Sequence, residues 1–116
     1  MTTVSARQPF AWDPAADLLS GPVGKRVTQC ALSRVCGGCG EPLGRPIAFV
    51  GTPLERDRNA FHFPPMHAGC AADLLARLDA LEPGSWLSVQ TAGFEFVRAN
   101  REDLDRRPTF EPNSLL

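Results

Sequence analysis

The chain has 116 residues, of which 43% are hydrophobic and 22% charged, with 12 basic and 13 acidic side chains. This is the composition of an ordinary folded domain with one modest core, and its near-zero net charge gives no pull toward nucleic acid or an anionic membrane. No apolar run approaches the roughly 20 residues that span a bilayer, and residues 1–20 lack a basic segment followed by an apolar one, so a cytoplasmic location and no membrane partner are expected.

Residues 1–26 are predicted to be an N-terminal arm. Residues 1–9 read as a frayed end. Asp13, with Pro14 after it and Ser20-Gly21-Pro22 to stop it, starts a short helical segment through Leu19. Phe10, Trp12, Leu18 and Leu19 would tuck this segment onto the core. A domain is expected over 27–99. Val27, Gln29, Ala31, Ser33 and Val35 alternate with Thr28, Cys30, Leu32 and Arg34, which predicts a strand. Pro46 to Val50 predicts a second strand, and Gly51 to Asn59, with Pro53 and the charged Glu55-Arg56-Asp57-Arg58, an exposed loop. Ala60 to Phe63 predicts a third strand, ended by Pro64-Pro65.

The main helix is expected over Met66 to Leu81, with Cys70, Leu74, Leu78 and Leu81 on one stripe widened by Ala71 and Leu75. Glu82-Pro83-Gly84 ends it. Trp86 to Thr91 and Phe94 to Arg98 read as a hairpin about Ala92-Gly93. Residues 100–116, charged and then Pro-containing, are expected to be an extended or disordered tail.

The chemistry is concentrated in the four cysteines. Cys36 and Cys39 form a C-x-x-C; after 27 residues, His67 and Cys70 form an H-x-x-C. In a reducing compartment such clusters point to metal more than to disulfides. Zn²⁺ in a structural site takes four Cys or His donors in a tetrahedron, and Cys36, Cys39, His67 and Cys70 supply that set. Gly37 and Gly38 allow a tight turn between the first pair, and Gly40 allows positive φ. His67 and Cys70, three apart at a helix start, face the same way, and the helix dipole favours the Cys70 thiolate. His62, between two Phe in an alternating run, competes less well than His67. Cys30, in its predicted strand, reads as a buried thiol.

A knuckle facing a helix start, with a β-hairpin between, resembles the treble-clef zinc fold. The C-x-x-C-x-x-P-L … H-x-x-C order is similar to half of a LIM domain. Cys36 to Gly40 and Pro65-Met66-His67-Ala68-Gly69-Cys70-Ala71 also resemble the C-x-x-C-G and P-M-H-x-x-C-A segments of small actinobacterial and phage proteins. That resemblance spans roughly residues 30–92 and implies a zinc site without an activity.

Four protein donors, three of them thiolates, leave no open position for a catalytic water, and no other catalytic constellation stands beside them. Asp103 with Asp105 and Glu55 with Asp57 read as solvated charge. Lys25, Arg26, Arg34 and Arg45 form one candidate basic patch, and Arg98, Arg101, Arg106 and Arg107 another that acids interrupt. The expectation is therefore a non-enzymatic α+β zinc domain with short strands, one main helix and a C-terminal hairpin, acting as an accessory module on a protein partner. A free edge strand in the hairpin and the tail residues Phe110, Leu115 and Leu116 would supply the contact. A nucleic-acid-binding zinc protein is the alternative.

Overall fold

A computed structural model describes residues 8–113; the rest of the expected frayed end, with Leu115 and Leu116, lies outside the described residues. The chain is a small α+β structure built on one buried strand. β1 (Ile47–Gly51) is buried along its whole length. It lies between β2 (Met66–His67) and β3 (Leu87–Thr91), antiparallel to both. Its continuous apolar run has the period of a strand covered on both faces. Ala48 and Val50 pack with Trp12, Met66, Ala71, Leu74 and Leu78 on one side. Ile47 and Phe49 pack with Val27, Phe61 and Phe110 on the other.

The first of these faces is closed by α3 (Ala68–Leu81), whose buried residues Ala71, Leu74 and Leu78 recur at helical spacing. Burying a leucine of this kind contributes roughly 1.5–3 kcal/mol. The helix begins two residues later than the sequence predicts, because Met66 and His67 are extended and pair with Ala48 and Ile47. Leu81, expected on the buried stripe, is 55% exposed in the last turn.

On the second face Val27 packs from α1 (Gly24–Ser33), a helix that corrects the strand expected over Val27 to Val35. Val27 is buried in the second cluster with Ala31 packed against it, and Cys30 is buried in the first, a spacing of three and four that one helix face satisfies. The alternation placed Val27 with Gln29 and Ser33, a face too polar to bury. The helix ends where Arg34 turns left-handed (φ 52°) and donates its N–H to the Cys30 carbonyl.

Between β1 and β2, the loop expected over Gly51 to Asn59 contains α2 (Pro53–Arg58). Thr52 and Glu55 form a reciprocal capping box with Pro53 in the first turn. The third predicted strand is reduced to one bridge, Phe61 with Phe110.

The predicted C-terminal hairpin does not form. β3 pairs with β1, while β4 (Phe94–Val97) pairs with β5 (Thr109–Pro112) in a separate antiparallel sheet. The pairing follows the aromatics. Phe94 and Phe96 lie 5.6 and 5.1 Å from Phe110, and Phe49 lies 5.8 Å from both Phe94 and Phe110. A β3–β4 hairpin would leave Phe110 without this cluster. The segment expected as an extended or disordered tail thus enters the fold as a strand through at least Pro112, with Phe110 fully buried.

The arm packs as expected through Trp12 and Leu18, whereas Leu19 is 47% exposed. Its expected helix is only a 3₁₀ turn over Leu18–Ser20, preceded by a turn in which Asp13 Oδ1 accepts from the Ala15 N–H. The arm also bonds along the knuckle: Phe10 N–H to Gly38 O (2.9 Å) and Ala11 N–H to Gly37 O (3.0 Å).

Candidate metal centre

The four expected ligands converge. The donor atoms of Cys36, Cys39, His67 and Cys70 all lie within 4.8 Å of one another, a cluster able to hold a metal ion. Two separate pieces of local structure bring them there. The first is the turn after α1: Cys36 N–H bonds Glu41 O and Gly40 N–H bonds Cys36 O, each at 2.8 Å, with Val35 bridged to Pro42. The second is the junction of β2 and α3, where His67 is the N-cap and Cys70 lies in the first helical turn.

The glycines of the knuckle act through close approach as well as conformation. Gly40 has φ 79°, as its position after Cys39 requires. Gly38 has an ordinary φ, but a Cβ there would sit 2.7 Å from Cys70 Cβ, 3.4 Å from Cys70 Sγ and 3.5 Å from Cys36 Sγ. Gly37 is pressed against the Pro64 ring. The first pair of ligands therefore reaches the second only because no side chain lies between them.

Hydrogen bonds orient the donors. His67 Nε2 lies 2.9 Å from Pro42 O, which can only accept, so Nε2 is the protonated nitrogen. Nδ1 then turns its lone pair to the sulfurs, 3.3 Å from Cys39 Sγ and 3.9 Å from Cys70 Sγ. This is the orientation a metal-binding imidazole takes from its outer partner. Cys36 Sγ accepts from the Gly38 and His67 backbone N–H groups at 3.2 and 3.3 Å. Cys36 is buried, Cys70 half-buried and Cys39 exposed.

The cluster is electrostatically incomplete as protein alone. Burial first, and then the Cys36 charge beside it, push the Cys70 thiol up from 9.0 to about 12. A metal ion bound beside Cys70 would reverse that direction, because its positive charge favours the thiolate. The donor set, the tautomer and the N–H···S bonds all fit such an ion.

The two competing residues lie elsewhere. Cys30 is fully buried on α1 within the first core cluster, and burial raises its thiol to about 11. His62 donates its backbone N–H to Glu55 of the α2 capping box at 2.9 Å. Its ring nitrogens face Pro108 O at 3.3 Å and Asp105 Oδ2 at 3.5 Å, fastening the loop before β5. Within that loop, hydrogen bonds from Arg107 hold the Asp105 carboxyl well below the usual carboxylate range.

The supporting groups were not legible in the sequence. The C-x-x-C-x-x-P spacing displays Pro42 but not the aim of its carbonyl at His67. The arm's backbone contacts with Gly37 and Gly38 leave no side-chain signal at all.

Three residues of the candidate basic patches make contacts within the chain. The Arg26 guanidinium lies 4.4 Å from the Phe10 ring centre and that of Arg34 lies 4.8 Å from Phe94, while Arg107 pairs with Asp105 at 2.7 Å. Among the described residues, no helix is long and apolar enough to cross a membrane. Comparison of the chain with protein-family models, curated proteins and solved structures finds no match.

Proposed function

We propose that the centre holds one structural Zn²⁺ and that the domain is a treble-clef-like accessory module acting through contact with another protein. The observation that carries the metal assignment is the closed donor set: three sulfurs and an Nδ1 already turned toward them by the Pro42 carbonyl. Borderline-soft Zn²⁺ suits thiolate and imidazole in a tetrahedron, and four protein donors leave no place for a reacting water. The treble-clef reading is supported by the order of parts: a knuckle, the antiparallel β1–β2 pair, then a helix whose first turn supplies Cys70. In this reading the ion joins the turn after α1 to the start of α3, so metal binding contributes directly to folding.

A protein partner in a cytoplasmic setting is preferred here to nucleic acid, because 12 basic against 13 acidic side chains give no net pull toward phosphate. In the second candidate patch Arg107 is paired with Asp105 at 2.7 Å, which offsets part of its positive charge. Of the contact expected, the free edge strand remains in β3 and Phe110 is withdrawn into the core. Phe110 is buried, whereas β3 is an edge of its sheet and Leu32, Leu54 and Leu104 are exposed.

Two measurements test this function. The zinc-loaded chain should co-purify at fixed stoichiometry with a protein, through a complex that survives raised salt. Binding to DNA or RNA with a steep loss of affinity as salt increases would replace the reading with the nucleic-acid one.

A further inference from the structure

The three sulfurs of the centre are unequally protected. Among the described residues, both backbone N–H···S bonds go to Cys36, which is also fully buried. Cys39 is exposed. Cys39 and Cys70 also line one groove of about 810 Å³, together with Phe10, Asp73 and Arg77. A small oxidant entering that groove therefore meets two sulfurs of the centre and not the third. N–H···S bonds withdraw electron density from a thiolate, and burial denies access, so both differences act in the same direction.

We propose that Cys39 is an oxidative modification site, and that hydrogen peroxide links it to Cys70 and thereby discharges the metal. This rests on the zinc reading above. The Cys39 thiolate attacks one peroxide oxygen; an S–O bond forms, the O–O bond breaks and hydroxide leaves. The Cys70 thiolate then attacks the oxidised sulfur, forming the S–S bond and expelling a second hydroxide. Two protons convert both hydroxides to water. The two sulfurs together lose the two electrons that the peroxide gains. Cys36 and His67 remain as the only donors, too few to retain the ion, and the link between the knuckle and α3 becomes a covalent one between Cys39 and Cys70. Cys30, outside the centre and fully buried, takes no part.

The test starts from the chain as purified, with its zinc content measured first. A metal-free chain at that stage overturns the zinc reading itself, before any peroxide is added. With zinc present, peroxide is added while a chromogenic chelator follows released metal and peptide mass spectrometry locates modified cysteines. The expected result is zinc release in step with a Cys39–Cys70 disulfide, reversed by a thiol reductant plus zinc. Cys39→His keeps four donors and removes the exposed sulfur, and should slow release about tenfold or more. Two results would overturn the proposal: retention of zinc at peroxide doses that oxidise free cysteine, or release with Cys36 oxidised before Cys39. If Cys39→His fails to load zinc, the order of modification in the unaltered chain decides the matter.

Discussion

His67 Nε2 lies 2.9 Å from the carbonyl oxygen of Pro42, so the imidazole is held by the same turn that carries Cys36 and Cys39. The contact fixes the tautomer and ties the two halves of the centre together outside the metal itself. A long-range ¹H–¹⁵N correlation spectrum of the zinc-loaded chain should show His67 protonated at Nε2 and metal-bound at Nδ1. A proton on Nδ1 would remove His67 from the ligand set.

Gly38 should be intolerant of even one added methyl group. The new Cβ would lie 2.7 Å from Cys70 Cβ, inside any real contact distance. Gly38→Ala is expected to cost about 1–3 kcal/mol through overpacking and to weaken zinc retention. Gly44 lies on the same connection with open space around it, so Gly44→Ala should change stability by less than about 0.5 kcal/mol. Urea unfolding of the two zinc-loaded variants makes the comparison.

β5 (Thr109–Pro112) packs into the fold through Phe110. Phe110→Ala empties the centre of the aromatic cluster and should cost about 3–5 kcal/mol. An unstructured tail would show no such loss. In the same strand pair Glu95 stands directly opposite Glu111, a like-charge pairing. Glu95→Lys should therefore raise stability by about 0.2–1 kcal/mol, with the gain shrinking as salt is added.

Cys30 should behave as a core residue. Cys30→Ala should keep a full complement of zinc and lose about 1 kcal/mol of stability. Burial raises its thiol from 9.0 to about 11, so the folded chain favours the neutral form. The sign follows from that direction: this contribution is complete below about pH 9 and is lost as pH rises from 9.0 toward about 11. In the folded chain at neutral pH an alkylating reagent should leave Cys30 unlabelled, and denaturant should expose it.

The donor residues were legible because their geometry is local. Two residues between Cys36 and Cys39, and two between His67 and Cys70, specify a turn and a helix start without reference to the rest of the chain. β1 was legible for a related reason, since a short run buried on both faces needs only continuous apolar character. α1 was not, because Val27, Cys30 and Ala31 satisfy a helical spacing within a stretch that also alternates. α2 had a readable start in Thr52-Pro53-Leu54-Glu55, but its charged residues, all left unburied, read as loop. The β3–β4 hairpin failed on information that no local pattern holds. Thr91 faces Ile47 and Phe94 faces Pro112, so two strands joined by a short turn have partners far apart in the sequence. Phe110 gave no warning because one aromatic in a polar setting carries no periodicity.

The proposed structural zinc on Cys36, Cys39, His67 and Cys70 is tested most directly by elemental analysis of the chain purified without added metal. One zinc per chain is expected, lost in the Cys36→Ser and Cys70→Ser variants together with the folded state. A folded chain with less than about 0.2 equivalents of zinc and freely reactive Cys36, Cys39 and Cys70 would contradict it.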